Sequence, residues 1–304
     1  MRNTFLTDRT ARDIDGQVAR VLRDIGNPDP PLRLEVVRDV LKLDLKYYSS
    51  KDDGAVRFVS HRLWIAGKQM LLRPGLLFEA IKKLDVKALY LPDQKRILIN
   101  SELPAIKQRW GESHEVGHSI IPWHADLMLG DTKQTLTPSC HEQIEAEANY
   151  AAARLLFLRE KFGAAIGDRD VDLSLVRDAA KLFGNSITTT LWRVVEHLDV
   201  PAIGVVGRHP KLPNSEGDLA ETCRYFVRSR RFSAQFSRID EMTVCAKIGS
   251  YCSSARRGPL GSDEVLLQDD GGSKHVFIFE TFYNSYEALT LGIYVRPQAR
   301  SVAF

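Results

Sequence analysis

The sequence lacks the features that mark secreted and membrane proteins, and it lacks a strong net positive charge. Its four cysteines show no CxxC spacing, so neither a disulfide framework nor a thiolate zinc site is expected. No uncharged apolar run reaches the ~18 residues of a membrane span, and the N-terminal residues lack a signal peptide's apolar core. The 42 basic and 39 acidic residues leave a net charge of only +3, too little for a general attraction to nucleic acid. These absences predict a cytoplasmic protein with no membrane partner.

What the sequence does contain is typical of a globular chain with two domains. Its 304 residues exceed the ~100–200 residues of an average domain. Hydrophobic residues make up 44% and charged residues 27%, which excludes a disordered or fibrous chain. Near residue 200 the pattern changes from helical periodicity to runs rich in β-branched and aromatic residues. We therefore predict domains at 1–200 and 201–304, the second β-rich and without an assigned role.

The first domain alternates helical and strand patterns. Periodicity and capping residues predict helices over 7–25, around 34–41, and over 75–84, 105–121 and 142–161. Alternating residues predict strands over 43–48 and 56–65, and a hairpin of 88–91 and 96–100 across the sequence PDQK. Two more helical patterns fill 171–198.

Residues 114–118 read His-Glu-Val-Gly-His, an HExxH pattern within a predicted helix. Residues four apart share one helix face, so His114 and His118 can present ring nitrogens to one metal ion, and Zn²⁺ favours such ligands. Glu115 is rotated away from the ligand direction and can reach a water molecule on the metal as a general base. The pattern thus predicts metal-assisted hydrolysis. The alternative is an amphipathic helix with two hydrogen-bonded histidines.

A catalytic zinc needs a third protein ligand, and the next predicted helix offers three glutamates. Glu145 is preferred, because Asn149 lies four residues later on the same face and can hydrogen-bond a ligating histidine. Glu147 points elsewhere and is the second candidate, and Glu142 is the third. Several alanines in this helix would let it approach the HExxH helix closely.

Two further histidines lie near these motifs. His124 lies in the connecting loop, and His141 lies four residues before Glu145 on the same face. Each is an additional candidate ligand, although substrate orientation or simple exposure fits its position better. The group that stabilises the oxyanion stays open among Tyr48, Tyr90, His124 and His141.

The run Arg96–Asn100, just before the HExxH helix, suits an edge strand. An extended substrate could add to such a strand by backbone hydrogen bonds. An interior hairpin strand fits the same run equally well.

Two coupled segments resemble the ImmA/IrrE metallo-endopeptidase family. RILINSELPAIKQRWGESHEVGHSII and IEAEANYAAARLL are similar to that family's strand, HExxH helix and E-x-E-A-N-x-F-A-A helix. The resemblance covers roughly residues 7–200. It implies an α+β fold, in which a zincin-like metallopeptidase domain with a small mixed sheet and active-site helices precedes the β-rich C-terminal domain. It also implies Zn²⁺ on His114, His118 and a helix glutamate, with Glu115 catalytic.

The resemblance further implies a zinc-dependent endopeptidase that cleaves one specific cytoplasmic protein, a repressor-type transcriptional regulator. The departures from the family pattern, Tyr150 and Ala151 in place of its x-F pair and LLFLREKF in place of its LLMP ending, leave the ligands intact and bear on substrate specificity.

A function of another class comes from 171–198, where VRDAAKLFG and NSITTTLWRVVEHL resemble a helix-turn-helix. The alternative is therefore a DNA-binding transcriptional regulator, or a protein-interaction module, with a degenerate peptidase domain. DNA is not favoured as a partner, because Arg193 is the second helix's only cation before Glu196. The basic, aromatic segment 224–238 fits a solvated helix face equally well.

Overall fold

The computed structural model describes residues 2–49, 88–124, 138–167, 169–212 and 222–298. The predicted strand at 56–65 and helix at 75–84 lie outside these residues. The chain forms two compact units, one of Leu6–Phe162 and one that joins Met1–Phe5 to Gly163–Phe304. The mixed α+β class expected from the sequence is confirmed.

The first unit combines helices with a small sheet. Its helices are α1 (Asp8–Asp24), α2 (Leu34–Leu41), α3 (Ala105–Ile120) and α4 (Pro138–Leu156). Its strands are β1 (Asp44–Tyr48), β2 (Ala88–Leu91) and β3 (Arg96–Asn100), and a 3-10 turn at Pro92–Gln94 joins the last two. Helix α5 (Glu160–Ile166) crosses the division between the units.

Helix α1 shows how local signals set the element bounds. The hydroxyl of Thr7 accepts a hydrogen bond from the backbone N–H of Thr10, which satisfies one of the free donors of the first turn. Gly26, just past the end, has a φ of +79°, a conformation that glycine adopts without a Cβ clash. The helix predicted over 7–25 is therefore confirmed.

The small sheet has the strand order β1-β3-β2, so β3 lies in its centre. Strand β1 pairs with β3 in parallel and β2 pairs with it antiparallel, which makes the sheet mixed. The expectation that Arg96–Asn100 is an edge strand is wrong, because both of its backbone edges are used by neighbouring strands. Ile97 and Ile99 are completely buried, as expected for a central strand.

Helix α4 differs from its predicted bounds at both ends. It begins at Pro138 rather than near 142 and ends at Leu156 rather than at 161. Leu158 and Arg159 have φ values of 52° and 49°, and this left-handed backbone cannot continue a right-handed helix. The chain resumes helical structure at Glu160.

Helices α3 and α4 pack so closely that their main chains are in contact at Gly117. A methyl group added to Gly117 would lie 2.7 Å from the carbonyl oxygen of Ala148 and 3.3 Å from the Cβ of Ala151. Both alanines are completely buried. The close approach that the alanines of this helix suggested is therefore present, and it needs glycine on the other side.

Substituting Gly117→Ala is expected to lower the free energy of unfolding by about 1–3 kcal/mol, because the added methyl overpacks this helix contact. Chemical denaturation of the full chain measures the change. Gly16→Ala in α1 is the matched control, since its added Cβ meets no atom within 4 Å. It is expected to raise stability by roughly 0.5–1 kcal/mol through helix propensity. Equal effects of the two variants would contradict the packing described.

The second unit is built on a five-stranded antiparallel sheet. Its strands are β4 (Ala202–Gly207), β5 (Tyr225–Arg228), β6 (Gly258–Gln268), β7 (Lys274–Tyr283) and β8 (Ala288–Pro297), in the order β5-β4-β8-β7-β6. Its other helices are α6 (Leu173–Phe183), α7 (Ile187–His197), α8 (Arg230–Gln235) and α9 (Glu241–Tyr251). Phenylalanines fill much of its core: Phe226, Phe232, Phe236, Phe277 and Phe279.

Helices α6 and α7 belong to this second unit. Gly184, with a φ of 65°, ends α6, and the Ser186 hydroxyl caps α7 by accepting from the Thr189 N–H. Helix α7 then packs on β4, β5 and β8. The compact units divide near residue 162, whereas the predicted domain boundary lies near 200. The prediction used the point where strand patterns begin, and that pattern does not indicate that the two preceding helices pack on the sheet.

Among the helices of the described residues, none combines the length and the apolar character that crossing a bilayer requires.

Candidate metal centre

Three side chains that can bind a metal converge between α3 and α4. His114 and His118 extend from α3 and Glu145 from α4, and their ligand atoms lie within 4.8 Å of one another. The Nε2 atom of His114 lies 3.2 Å from Nε2 of His118 and 3.2 Å from Oε2 of Glu145. The Nε2 atom of His118 lies 3.6 Å from Oε1 of Glu145. The structure thus brings together the preferred ligand candidates of the sequence.

These distances suit a small tetrahedral ion. Ligand atoms held at about 2.1 Å from such an ion lie about 3.4 Å from one another. The distance between the two ring nitrogens and the distance from each of them to one Glu145 oxygen lie close to that value. Two imidazole nitrogens and one carboxylate leave a fourth position open, as in catalytic zinc sites. The residues present therefore fit a divalent ion of the zinc type.

The ring of His114 is oriented by the next turn of α4. Its Nδ1 lies 3.0 Å from the side-chain oxygen of Asn149. An amide oxygen only accepts, so Nδ1 donates the proton and Nε2 keeps its lone pair for the cluster. This is the hydrogen bond that the shared face of Glu145 and Asn149 predicted.

The electrostatics of the cluster favour the protonation states that metal binding needs. Burial lowers the pKa of His118, which keeps that ring neutral. Burial opposes the charge of Glu145, but the hydrogen bond and the charge of His114 outweigh it and hold the pKa of Glu145 far below its usual range. A neutral imidazole and an ionised carboxylate are the ligand forms of these groups.

The pKa of His114 shifts in the opposite direction from that of His118. Burial lowers it, but the hydrogen bond to Glu145 and the charge of Glu115 outweigh this effect and raise the pKa above the ordinary value. Because a metal ion and a proton compete for the same Nε2, metal binding at this ring releases a proton.

Glu115 lies next to the cluster but is not one of the three converging groups. Its side chain is only 6% exposed, and burial raises its pKa to about 7, with the charge of Glu145 acting in the same direction. The charge of His114 and a hydrogen bond from the backbone of Tyr90 oppose the shift. A carboxyl group with a pKa near neutrality suits proton transfer at neutral pH.

The other two glutamates considered as ligands lie elsewhere. Glu147 accepts hydrogen bonds from the Trp123 indole at 2.6 Å and from Gln143 at 2.9 Å, so its carboxylate is already held apart from the cluster. Glu142 is exposed to solvent. Of the three candidates, Glu145 alone has its carboxylate beside both histidines.

His124 has a role that the sequence did not indicate. It is completely buried, with one ring nitrogen bonded to His118 and the other to Glu147. The expectation that it is exposed or orients substrate is therefore wrong. The side chain of His141 lies outside the described residues, and Tyr48 and Tyr90 are buried.

The sequence did not identify Trp123 and Gln143 as the residues that donate hydrogen bonds to Glu147. Gln143 stands four residues before Glu147 and so shares its helix face, which is a signal that could have been used. Trp123 had no such signal, because its contact with Glu147 depends on how the chain leaves α3.

The fold and the converging residues define a domain with a candidate metal site on an HExxH helix, and comparison with known proteins agrees. Residues 75–194 match the model of the IrrE N-terminal-like domain, peptidase family M78. The match confirms, for these residues, the resemblance to the ImmA/IrrE metallopeptidase family that the motifs indicated.

A comparison with curated proteins finds no match. A solved structure of a Mycobacterium tuberculosis transcriptional regulator is similar over 95% of this chain and 90% of that chain, with a TM-score of 0.51 and 13% sequence identity. At this identity the likeness concerns the fold alone.

Proposed function

We propose that this protein is a zinc-dependent endopeptidase. The observation that carries the proposal is the convergence of Nε2 of His118, Nε2 of His114 and the Glu145 carboxylate beside a buried Glu115. Two imidazole nitrogens and a carboxylate that face one another offer a divalent ion three ligand atoms at one point. Membership of a metallopeptidase family supports peptide hydrolysis as the reaction.

In this proposal His114, His118 and Glu145 would hold the ion, and Glu115 would transfer protons. When bound, a zinc ion would polarise the scissile carbonyl and lower the pKa of a water molecule. Glu115 would accept a proton from the attacking water as general base and return it to the leaving amine.

Strand β2, rather than Arg96–Asn100, is the edge strand to which an extended substrate could add. Within the described residues it lies at the edge of the small sheet, next to β3 on one side only. The backbone of Tyr90 in this strand hydrogen-bonds Glu115, so the strand passes beside the general base. An extended peptide that adds to this edge would lie along the site.

The proposed substrate is a single cytoplasmic protein of the repressor type. The resemblance to the ImmA/IrrE family supports this choice. The net charge of +3 gives no general attraction to other macromolecules, which suits a protease with one protein partner.

A DNA-binding regulator is the competing function, because the solved structure with a similar fold is that of a transcriptional regulator. Side chains of α7 that would meet DNA in a helix-turn-helix are used within the protein. The Thr188 hydroxyl donates to Glu287 at 3.1 Å, and Arg193 is only 8% exposed. A recognition helix needs such groups at its surface, so we favour the peptidase.

The proposal is tested by removing and restoring the metal. The full chain, stripped with a chelator, is expected to lose cleavage of a peptide library made from total cell protein. One equivalent of Zn²⁺ should restore it, because the ligands are preserved in the metal-free chain. Mass spectrometry of new peptide termini is the measurement.

Cleavage that persists after metal removal, or absence of any metal-dependent product, would contradict the peptidase. Salt-dependent binding of the metal-free chain to duplex DNA would favour the regulator instead.

A further inference from the structure

His124 joins the candidate metal ligand His118 to a buried carboxylate. Its Nδ1 lies 3.0 Å from Nδ1 of His118, and its Nε2 lies 3.0 Å from Oε2 of Glu147. None of the three side chains is more than 4% exposed. The three groups therefore form a continuous hydrogen-bonded row that leads away from the metal centre into the protein.

The hydrogen bonds of this row have one set of directions when His124 is the neutral ring. The Glu147 carboxylate also accepts from Trp123 and Gln143, so it is the acceptor and the proton between it and His124 lies on Nε2 of His124. The neutral His124 ring then has its lone pair at Nδ1, and the bond to His118 requires the proton on Nδ1 of His118. Nε2 of His118 is thereby left unprotonated, and it is this atom that lies 3.2 Å from Nε2 of His114.

The far end of the row is itself held in place. Oε2 of Glu147 accepts from the Trp123 indole at 2.6 Å, and Oε1 accepts from the Gln143 amide at 2.9 Å. Both carboxylate oxygens are thus occupied by donors before the His124 proton is counted. A carboxylate fixed on both oxygens cannot turn away, so it sets the orientation of the His124 ring.

We propose that His124 and Glu147 are positioning residues, which fix His118 in the tautomer whose Nε2 faces the metal. The inference rests on the proposed metal site and extends it, because neither residue touches the ion or the substrate. The two candidate histidine ligands are then oriented by separate partners. His114 is oriented by the neutral Asn149, and His118 is oriented by His124, whose other ring nitrogen contacts the Glu147 carboxylate. Outer partners of this kind raise the basicity of the ligand as well as orienting it.

The first test reads the tautomer directly in the metal-free full chain. Two-bond ¹H–¹⁵N correlation spectra distinguish a ring protonated at Nδ1 from one protonated at Nε2, and a His118→Gln spectrum assigns the signals. His118 is expected to carry its proton on Nδ1 in the wild type. In His124→Leu this preference should be lost, because no acceptor faces Nδ1. His124→Gln should restore it, since the carbonyl oxygen and amide nitrogen of glutamine supply an acceptor and a donor.

The second test measures Zn²⁺ affinity by competition with a chromophoric chelator. His124→Leu is expected to weaken binding by about 10–100-fold, the usual cost of an outer partner, and His124→Gln to recover most of the loss. Glu142→Gln is the control, because it changes an exposed side chain of α4 that lies outside the row. Thermal unfolding of each metal-free variant shows whether it folds, and Glu147→Gln replaces His124→Leu if that variant does not.

The outcomes separate this inference from the proposed activity. An Nε2-protonated His118 in the wild type, or an unchanged tautomer and Zn²⁺ affinity in His124→Leu, would overturn the positioning role even if peptidase activity is present. Equal losses in Glu142→Gln and His124→Leu would overturn it too, since they would indicate an effect unrelated to the row. A chain that shows the expected tautomer and affinity but cleaves no peptide would refute the peptidase and leave the positioning role standing.

Discussion

Replacing Glu115 with glutamine is expected to leave metal binding intact and to reduce peptide hydrolysis by roughly 10²–10⁴-fold, the usual contribution of a general base. Glutamine has nearly the same volume, so the buried position beside α3's histidines stays filled. An amide cannot accept a proton from water at neutral pH, and the reaction loses its base. Turnover of a peptide substrate and the zinc content of the same preparation measure the two properties together.

The control for this substitution is Glu142→Gln, which makes the same chemical change at an exposed position outside the cluster. It should match the wild type in both activity and zinc content. Full activity in Glu115→Gln would refute the assigned base. Loss of zinc in that variant would instead show that Glu115 belongs to the ligand set.

The second large effect is expected on metal affinity. Glu145→Ala removes one of the three protein ligands, so Zn²⁺ should bind more weakly by more than the ~10–100-fold that loss of an outer partner costs. Glu147→Ala should fall within that smaller range, because its carboxylate contacts Trp123, Gln143 and His124 rather than the cluster. Competition with a chelator of known affinity gives the comparison.

Glu142→Ala is the control of this series and should bind Zn²⁺ with the affinity of the wild type. A larger loss in Glu147→Ala than in Glu145→Ala would reverse the assignment of the third ligand. If neither change weakens binding, the three-ligand centre is wrong.

The parts of the site that lie within one helix could be predicted from the sequence. The spacing of His114 and His118 fixes their common face through helix geometry alone, and the spacing of Glu145 and Asn149 does the same on α4. The helices that follow Thr7 and Ser186 could also be predicted, because each begins at an N-cap residue that acts on its own first turn.

What depends on contacts between distant segments could not be predicted. The central position of β3 requires parallel pairing with β1, which lies about fifty residues earlier and leaves no mark in the strand itself. The role of His124 depends on where the chain turns after α3, because only that turn brings its ring between His118 and Glu147. Helical periodicity places all three glutamates of α4 but does not say which of them faces α3.

The backbone contact at Gly117 has a consequence for ion selectivity. Because Gly117 meets the carbonyl oxygen of Ala148 directly, no side chain can compress or extend to adjust the separation of the two ligand-bearing helices. An ion that needs longer bonds and more oxygen ligands, such as Ca²⁺ at ~2.3–2.6 Å, would have to force main chain apart. The spacing of two backbones is therefore expected to limit the size of ion that the candidate site could hold.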